Sequence, residues 1–412
     1  MRFLYSIAIS FYSFLVSLAS PFNTKAKLWY GGRKNVFEQL SHQIKSKKDI
    51  IWIHASSVGE FEQARPLIEK IKRQQKKYSI VLTFYSPSVY ELRKNYALAD
   101  YIFYLPADTQ ANARKFLEIV QPQIVFFIKY EFWFNYINQI HINQIPLYLV
   151  SGIFRPRQHF FKVYGFWFRK HLKMFTHLFV QDKRSADLLQ QSGVFNYSIA
   201  GDTRFDRVYN NTLHPHQYAS IKRYSYQSDC LLAGSTWPAD EQIIANYLKN
   251  SSDNFKLIIA PHEVNEDHLQ SIEKLFEPYG TIRWSHDEDL KNLQGQKVLI
   301  IDSVGKLMHL YQYAKVAYIG GGFGVGIHNI LEAACFAKPT IIGPNYYKFK
   351  EARDLIALGG AFSISEADDF KNTLNKLFSD HEFLKQKSAI CENYVKDNIG
   401  ATGQIFSFCF GE

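Results

Sequence analysis

From residue 50 onward the chain repeats one pattern: a short run of β-branched and aromatic residues, a turn, then a longer stretch with helical spacing of apolar positions. Strands that alternate with helices pair in parallel and are covered by their crossover helices. In the first half, residues 50–55, 80–84, 101–104, 124–128, 147–151, 178–180 and 197–200 read as strands, with helices such as 60–73 and 109–119 between them. A polar stretch, 209–229, breaks the rhythm and reads as a linker. The alternation then restarts with strands at 231–233, 256–260, 281–284, 298–301, 316–319 and 340–342. A length of 412 residues allows two or three domains, each with its own core. The expected architecture is therefore two α/β halves facing across a cleft, with ligands at the carboxyl ends of strands.

Composition narrows the class. With 47% hydrophobic and 21% charged residues the chain is neither disordered, collagen-like nor coiled coil. The balance of 48 Lys+Arg against 38 Asp+Glu, a net +10, points to an anionic partner: membrane lipid, a phosphorylated substrate or nucleic acid. No nucleic-acid recognition motif accompanies the charge. Cys230, Cys335, Cys391 and Cys409 form no CxxC pair and no regular framework, so neither a zinc site nor a disulfide scaffold is indicated.

Residues 3–24 carry no charge, and 3–19 are nearly continuously apolar. A membrane anchor over residues 1–24 is the favoured reading, against a cleaved signal peptide or a buried core helix. Ser6, Ser10, Ser13 and Ser17 lie on one helical stripe, which suits packing against protein or contact with headgroups. Lys25, Lys27, Arg33 and Lys34 outweigh Arg2, which places the body of the protein on the cytoplasmic side.

Several turns carry chemistry. After strand 50–55 comes Ser56-Ser57-Val58-Gly59-Glu60, where Gly59 allows a sharp bend and Glu60 can serve as general base or simply complement a helix dipole. Glu131 follows strand 124–128 beside Phe132 and Trp133, where desolvation would raise its pKa. Strand 316–319 runs into Gly320-Gly321-Gly322-Phe323-Gly324-Val325-Gly326-Ile327-His328-Asn329-Ile330-Leu331-Glu332. Such a loop before a helix can bring backbone N–H groups to a phosphate, which His328 would face, while Asn329 and Glu332 share a helix face and can take ribose hydroxyls. A tight packing turn capped by Asn329 is the alternative. The loop is not a dinucleotide fingerprint, and no GxxxxGK occurs. Gly234-Ser235-Thr236 follows another strand and can hold a phosphate or cap a helix. Pro261-His262-Glu263 ends strand 256–260, and the run HEVNEDH spaces its histidines wrongly for an HExxH zinc site. The segment 155–173 interleaves Arg155, Arg157, Lys162, Arg169, Lys170 and Lys173 with large aromatics, as suits an anionic amphiphile, a membrane interface or a solvated helix face.

In this order, the motifs resemble the Kdo transferase family, the 3-deoxy-D-manno-octulosonic acid transferases of lipopolysaccharide assembly. The resemblance spans nearly the whole chain: the apolar start, Trp52-Ile53-His54-Ala55-Ser56-Ser57-Val58-Gly59-Glu60, Pro106-Ala107-Asp108, Glu131-Phe132-Trp133, residues 201–206 (GDTRFD), Ala233-Gly234-Ser235-Thr236, and the glycine loop through Glu332. It implies a GT-B fold of two Rossmann-like domains with an anchor helix. The expected bounds are 25–208 for the acceptor domain, 209–229 for the linker and 230–412 for the donor domain, with the last helices returning to the first domain. It also implies transfer of Kdo from CMP-Kdo to a lipid A precursor, lipid IVA, with inversion and without metal or other cofactor. Inner-membrane lipids are implied partners, nucleic acid is not. Carried over, Glu60 matches the general base and Glu131 a second acid. Gly234, Ser235, Thr236, His262, Gly305, Gly322, His328, Asn329 and Glu332 match the donor site, and Ser57, Gly59, Arg155 and Arg157 the acceptor side. The chain departs from the pattern in three places. His262 stands where Arg is common, Lys306 where Glu is common, and Arg204 where Lys is common. The alternatives to this reading are a GT-B enzyme for another nucleotide sugar and a non-catalytic, membrane-attached nucleotide binder.

Overall fold

A computed structural model describes residues 1–44, 49–249, 255–286 and 296–411. Contacts divide the chain into two units, Met1–Arg207 with Asn398–Glu412, and Val208–Asp397. In the first unit β1 (Ile50–Ala55), β2 (Ser79–Phe84), β3 (Tyr101–Tyr104), β4 (Ile124–Ile128), β5 (Leu147–Gly152), β6 (His177–Val180) and β7 (Tyr197–Ile199) form one sheet. Its order is β3-β2-β1-β4-β5-β6-β7, and the pairings are parallel. Strand β1 shows why the apolar runs are continuous. All six of its residues are buried, Ile50 and Trp52 entering one core and Ile51, Ile53 and Ala55 the core on the opposite face.

The second unit repeats the plan with β8 (Asp229–Thr236), β9 (Phe255–Pro261), β10 (Thr281–Arg283), β11 (Val298–Ile300), β12 (Val316–Ile319), β13 (Thr340–Ile342) and β14 (Ala361–Ser363). Their order is β10-β11-β9-β8-β12-β13-β14. Two Rossmann-like parallel sheets are the composition expected of a GT-B chain. Strand β14 has no counterpart among the expected strands, because three residues at a sheet edge, only the first of them buried, leave no apolar run to read.

In each sheet one later strand lands on the far side of the sheet's first strand, which marks that unit's reversal point. In the first unit β4 lands beside β1, on the side away from β2. In the second, β12 lands beside β8, on the side away from β9. Loops leaving such neighbours diverge and open a crevice at their carboxyl ends, where ligands bind in open α/β sheets. The motifs singled out from sequence fall at these two points.

The stretch 209–229, expected as a linker, holds the end of a helix, Thr203–Leu213, and a second helix, Ala219–Ser225. Its polar composition hides two inward residues three apart, Ile221 and Tyr224, both buried. At the other end of the chain, helix Ala401–Phe410 belongs to the first unit and buries Ile405 and Phe406 in its core.

The amino-terminal helix, Arg2–Ala19, wears its apolar side outward: Phe3, Leu4, Ile7, Phe11, Phe14, Leu15 and Leu18 are exposed. Its inner side is polar. Arg2 donates to Asn135 (3.1 Å), Tyr5 to Asp108 (2.7 Å), and Asn135 to Ser6 (3.1 Å). Ser13 and Ser17 donate back to the carbonyls of Ile9 and Phe14, which satisfies their hydroxyls within the helix.

Candidate active site

At the first unit's reversal point, His54 is the fifth residue of β1 and fully buried. Its Nδ1 meets Thr83 Oγ1 at 2.8 Å and its Nε2 meets Glu131 Oε2 at 2.9 Å. Ser56, two residues on and so on the same side of the extended chain, donates its hydroxyl to the same Glu131 oxygen at 2.6 Å. The Trp133 indole N–H donates there too. Glu131 is thus a buried carboxylate whose one oxygen is surrounded by three partners.

Glu60 is set by a different device. Helix Val58–Gln74 opens with a capping box. Ser57 Oγ accepts from the Glu60 N–H at 3.3 Å, and Glu60 Oε2 accepts from the Ser57 N–H at 3.1 Å. The Ser56 N–H adds a 2.7 Å bond to the same oxygen. Glu60 is buried beside Glu131, with which it also shares a hydrogen bond.

Two buried carboxyls in contact cannot both ionise freely, and their surroundings decide which one does. Burial and the neighbouring Glu131 charge push Glu60 up to about 8, against the opposing pull of the Ser56 N–H and Lys129. Burial works to raise Glu131 as well, but the His54, Ser56 and Glu60 contacts outweigh it and hold Glu131 below the usual carboxylate range. This reverses the sequence expectation. The aromatic neighbour Trp133 was read as a desolvating wall for Glu131, whereas its N–H points at the carboxylate and stabilises the charge. At neutral pH Glu60 carries the shared proton and Glu131 the charge.

Beside the pair lies a pocket of about 340 Å³ lined by Glu131, Phe132, Trp133, Phe160, Phe168 and Tyr5 among others. Part of the basic-aromatic segment 155–173 builds its wall. Phe160 packs on Phe132 (4.7 Å between ring centres) and Trp167 on Phe134 (4.8 Å), while Val163, Tyr164 and Phe166 remain exposed. Arg155 reaches Tyr130, next to Glu131, whereas Arg157 is exposed on the same loop. Gly59 and Ser57 are exposed at the helix start, and a Cβ at Gly59 would meet open space.

The second unit's reversal point brings together the end of β8, the glycine loop after β12 and the residue after β9. Gly234, Ser235 and Thr236, expected as a turn following a strand, belong to β8 itself, with a bulge at Ser235. The glycines serve close approach more than an open cradle. A Cβ at Gly320 would stand 2.2 Å from the Ser235 carbonyl oxygen, and one at Gly322 would stand 2.6 Å from the Gly343 backbone. Many loop N–H groups are already engaged: Gly320 with the Gly234 carbonyl (2.9 Å), Gly321 with Asp240 (2.9 Å), Gly326 with the Gly321 carbonyl (2.9 Å) and His328 with the Gly320 carbonyl (3.2 Å). The helix expected to follow is one turn, Leu331–Ala334, ended by left-handed Ala337 at φ +57° and by Pro339. The Thr236 hydroxyl donates to Glu241 at 2.8 Å, so of these two strand-end hydroxyls the one left for a ligand is that of Ser235, at φ +53° in the bulge. Asn329 donates to Glu332 at 3.0 Å, and the two form a half-buried pair at the loop's end. Gly305, at φ +87°, is exposed in the loop after β11, and Leu307, which opens the short helix Leu307–Leu310, abuts Gly234.

Three rings stack across this point. Trp237 and His262 lie 4.7 Å apart at 25°, and His262 and His328 lie 4.2 Å apart at 29°. Burial first and His262 second push His328 down to about 4. Among the described residues no group of three His, Cys, Asp or Glu is placed to hold a metal ion.

Sequence reasoning did not single out His54, Ser56 or Trp237 by themselves, and it gave Trp133 the opposite effect on Glu131. The signal for the first two was the HxS spacing, which puts both side chains on one side of a strand end. The Ser57-x-x-Glu60 pattern likewise announced a capping box. Trp237 carried no such signal, since its role depends on rings arriving from β9 and β12.

Residues 33–207 match the family model described as 3-deoxy-D-manno-octulosonic-acid transferase (kdotransferase). A 3-deoxy-D-manno-octulosonic acid transferase from Aquifex aeolicus is 25% identical over 349 residues, 83% of this chain and 90% of the relative. One from Haemophilus influenzae is 26% identical over 370 residues, 86% of this chain and 85% of the relative. Among solved structures, UDP-GlcNAc 2-epimerase from Neisseria meningitidis superposes with a TM-score of 0.61 at 14% identity, covering 88% of this chain and 100% of that one. A glycosyltransferase from Rickettsia africae does so at 0.55 and 10%, covering 88% and 98%. These likenesses show the fold. Taken with the order of motifs along both sheets, the match over residues 33–207 and the relatives of the same name make the chain similar, along most of its length, to the 3-deoxy-D-manno-octulosonic acid transferases.

Proposed function

We propose that this glycosyltransferase moves Kdo from CMP-Kdo to a lipid A precursor, lipid IVA, with inversion at the anomeric carbon and Glu60 as general base. The observation that carries the reading is the unequal carboxyl pair at the first unit's reversal point. An acceptor hydroxyl beside Glu60 gives its proton to the ionised Glu60 carboxylate as its oxygen bonds to the Kdo anomeric carbon. The bond to the CMP phosphate breaks on the opposite face, and CMP leaves with the electron pair. A base that titrates at about 8 combines a useful ionised fraction near neutral pH with real proton affinity. Glu131 stays charged and keeps the Glu60 carboxyl in place. The aromatic pocket and Arg155 suit an acceptor that carries both apolar and phosphate groups. In this reading the donor nucleotide occupies the second unit's reversal point, at Ser235, His262, His328 and the Asn329–Glu332 pair. The outward apolar face of helix Arg2–Ala19 rests in the cytoplasmic leaflet of the inner membrane.

The test is transfer from CMP-Kdo, generated in place, to a tetra-acyl lipid A precursor, followed by product mass. Glu60→Gln should lower transfer by about 10²–10⁴-fold while CMP binding is retained. Turnover with a UDP-sugar and none with CMP-Kdo would overturn the donor assignment. Full transfer by Glu60→Gln would overturn the role of the base.

A further inference from the structure

We infer that His262 becomes the cation of the second unit's site only when an anionic phosphate binds, taking up a proton from solvent, with Trp237 and a neutral His328 as its stacking platform. The inference rests on the proposed donor site and concerns how that site meets negative charge. Several of the usual devices are already engaged there. The loop N–H groups at Gly320, Gly321, Gly326 and His328 already have partners, and the following helix is a single turn. The hydroxyl of Thr236 is engaged with Glu241. What faces outward at the carboxyl end of β9 is the exposed imidazole of His262, whose backbone N–H donates to the Thr236 carbonyl at 2.9 Å.

The stack decides which ring takes the proton. The Trp237 indole N–H can only donate, and it points at His328 Nε2 at 3.4 Å. That nitrogen is therefore an acceptor, and His328 is the neutral tautomer with its proton on Nδ1. A second proton on His328 would confront the indole N–H. His262 has no such constraint, and it lies between two parallel ring faces 4.7 Å and 4.2 Å away, a setting that favours a planar cation. The other ionisable groups on the surrounding elements are acids, one more histidine and three lysines. Asp240 accepts from Tyr318, the Trp237 backbone N–H and the Gly321 N–H. Glu241 and the Glu263 carbonyl engage the two ring nitrogens of His268 at 3.1 and 3.0 Å. Glu332 is bonded to Asn329. Lys306 lies over the Trp284 ring at 4.1 Å, Lys350 pairs with Asp354, and Lys348 is exposed on the segment that packs against Gly326. At the carboxyl end of β9 itself, a phosphate gains from a proton placed on His262.

An imidazole ordinarily titrates near about 6.5, and an adjacent phosphate moves that value upward. Binding then consumes up to one proton wherever the free ring is neutral and the bound ring charged. The sign follows: CMP affinity weakens as pH rises, by up to about tenfold per pH unit within that window. A fixed guanidinium at this position would show no such dependence.

The experiment is calorimetry of CMP binding to the full chain in detergent, from pH 7 to 8.5, in two buffers of different ionisation enthalpy. This range lies above the nucleotide's own second ionisation at about 6. The expected result is uptake approaching one proton and a several-fold loss of affinity across the range. His262→Arg should bind CMP without proton uptake and with a flat pH profile, and His262→Asn should bind more weakly and equally flat. His268→Asn should keep the uptake. CMP binding by the unaltered chain with no proton uptake, or uptake that survives His262→Arg, would overturn the inference while leaving the donor reading intact. No CMP binding at all would overturn that reading instead.

Discussion

Glu60 and Glu131 divide one proton unequally because the groups around them differ in kind. Glu131 receives Ser56 and Trp133 donors on one oxygen and lies against His54, while Glu60 receives two backbone N–H groups and the repulsion of its neighbour. Forming the doubly charged pair is the step that readies the base, so kcat/KM should rise with pH through about 8. The 2.6 Å bond from Ser56 falls on Glu131, which is charged both before and after Glu60 ionises. Ser56→Ala should therefore leave the rising limb at about 8, whereas Glu60→Gln should abolish it. A limb that moves by about one unit in Ser56→Ala would show that this bond strengthens as Glu60 ionises. Gly59 offers a second test at this scale. It occupies the first turn of a helix with open space where a Cβ would go, so Gly59→Ala should gain about 0.5–1 kcal/mol in thermal unfolding. The same methyl would stand beside Glu60 where the acceptor hydroxyl must approach, and transfer should fall while CMP affinity holds. The candidate acids were legible in the sequence as strand-end residues. Their relative ionisation was not, because it depends on which way the Trp133 N–H points.

At the scale of elements, helix Arg2–Ala19 is amphipathic in the reverse sense of a soluble surface helix, with its polar stripe inward and its apolar face outward. Two consequences separate. Its outer residues should govern membrane attachment, and its inner ones should govern the wall it lends to the Glu131 pocket through Tyr5. Replacing Phe11, Phe14 and Leu18 with Ser should move the protein from the membrane to the soluble fraction on flotation with anionic vesicles. Tyr5→Phe removes only the 2.7 Å bond to Asp108, so attachment should persist. KM for the lipid acceptor should rise, with little change for the donor. Equal loss of flotation in both variants would sink this division of labour. Of the serine stripe Ser6, Ser13 and Ser17 are half-buried and Ser10 is exposed, and strands β1, β3, β4, β12 and β13 were readable to the residue because parallel sheets bury most strand positions, leaving near-continuous apolar runs. Helix Ala219–Ser225 was not, because two apolar contacts among polar residues do not register as a period.

At the scale of the whole molecule, the chain leaves the first unit after Arg207 and re-enters it at Asn398. The return is fixed from both ends. Asp206 accepts from the Gly400 N–H at 2.5 Å and the Thr402 N–H at 2.7 Å, and helix Ala401–Phe410 then seats Ile405 and Phe406 in the core that also holds Phe61 and Leu67. The last segment in sequence is therefore a structural part of the unit with the carboxyl pair, although 190 residues of the other unit, Val208–Asp397, precede it. Two units with separate cores should unfold in separable transitions, and a ligand raises only the transition of the unit it binds. CMP should raise one transition alone. Phe406→Ala should lower the other by about 3–5 kcal/mol through the cavity it leaves. If Phe406→Ala instead lowers the transition that CMP raises, the terminal helix stabilises the nucleotide unit and the division of the chain drawn from its contacts is wrong.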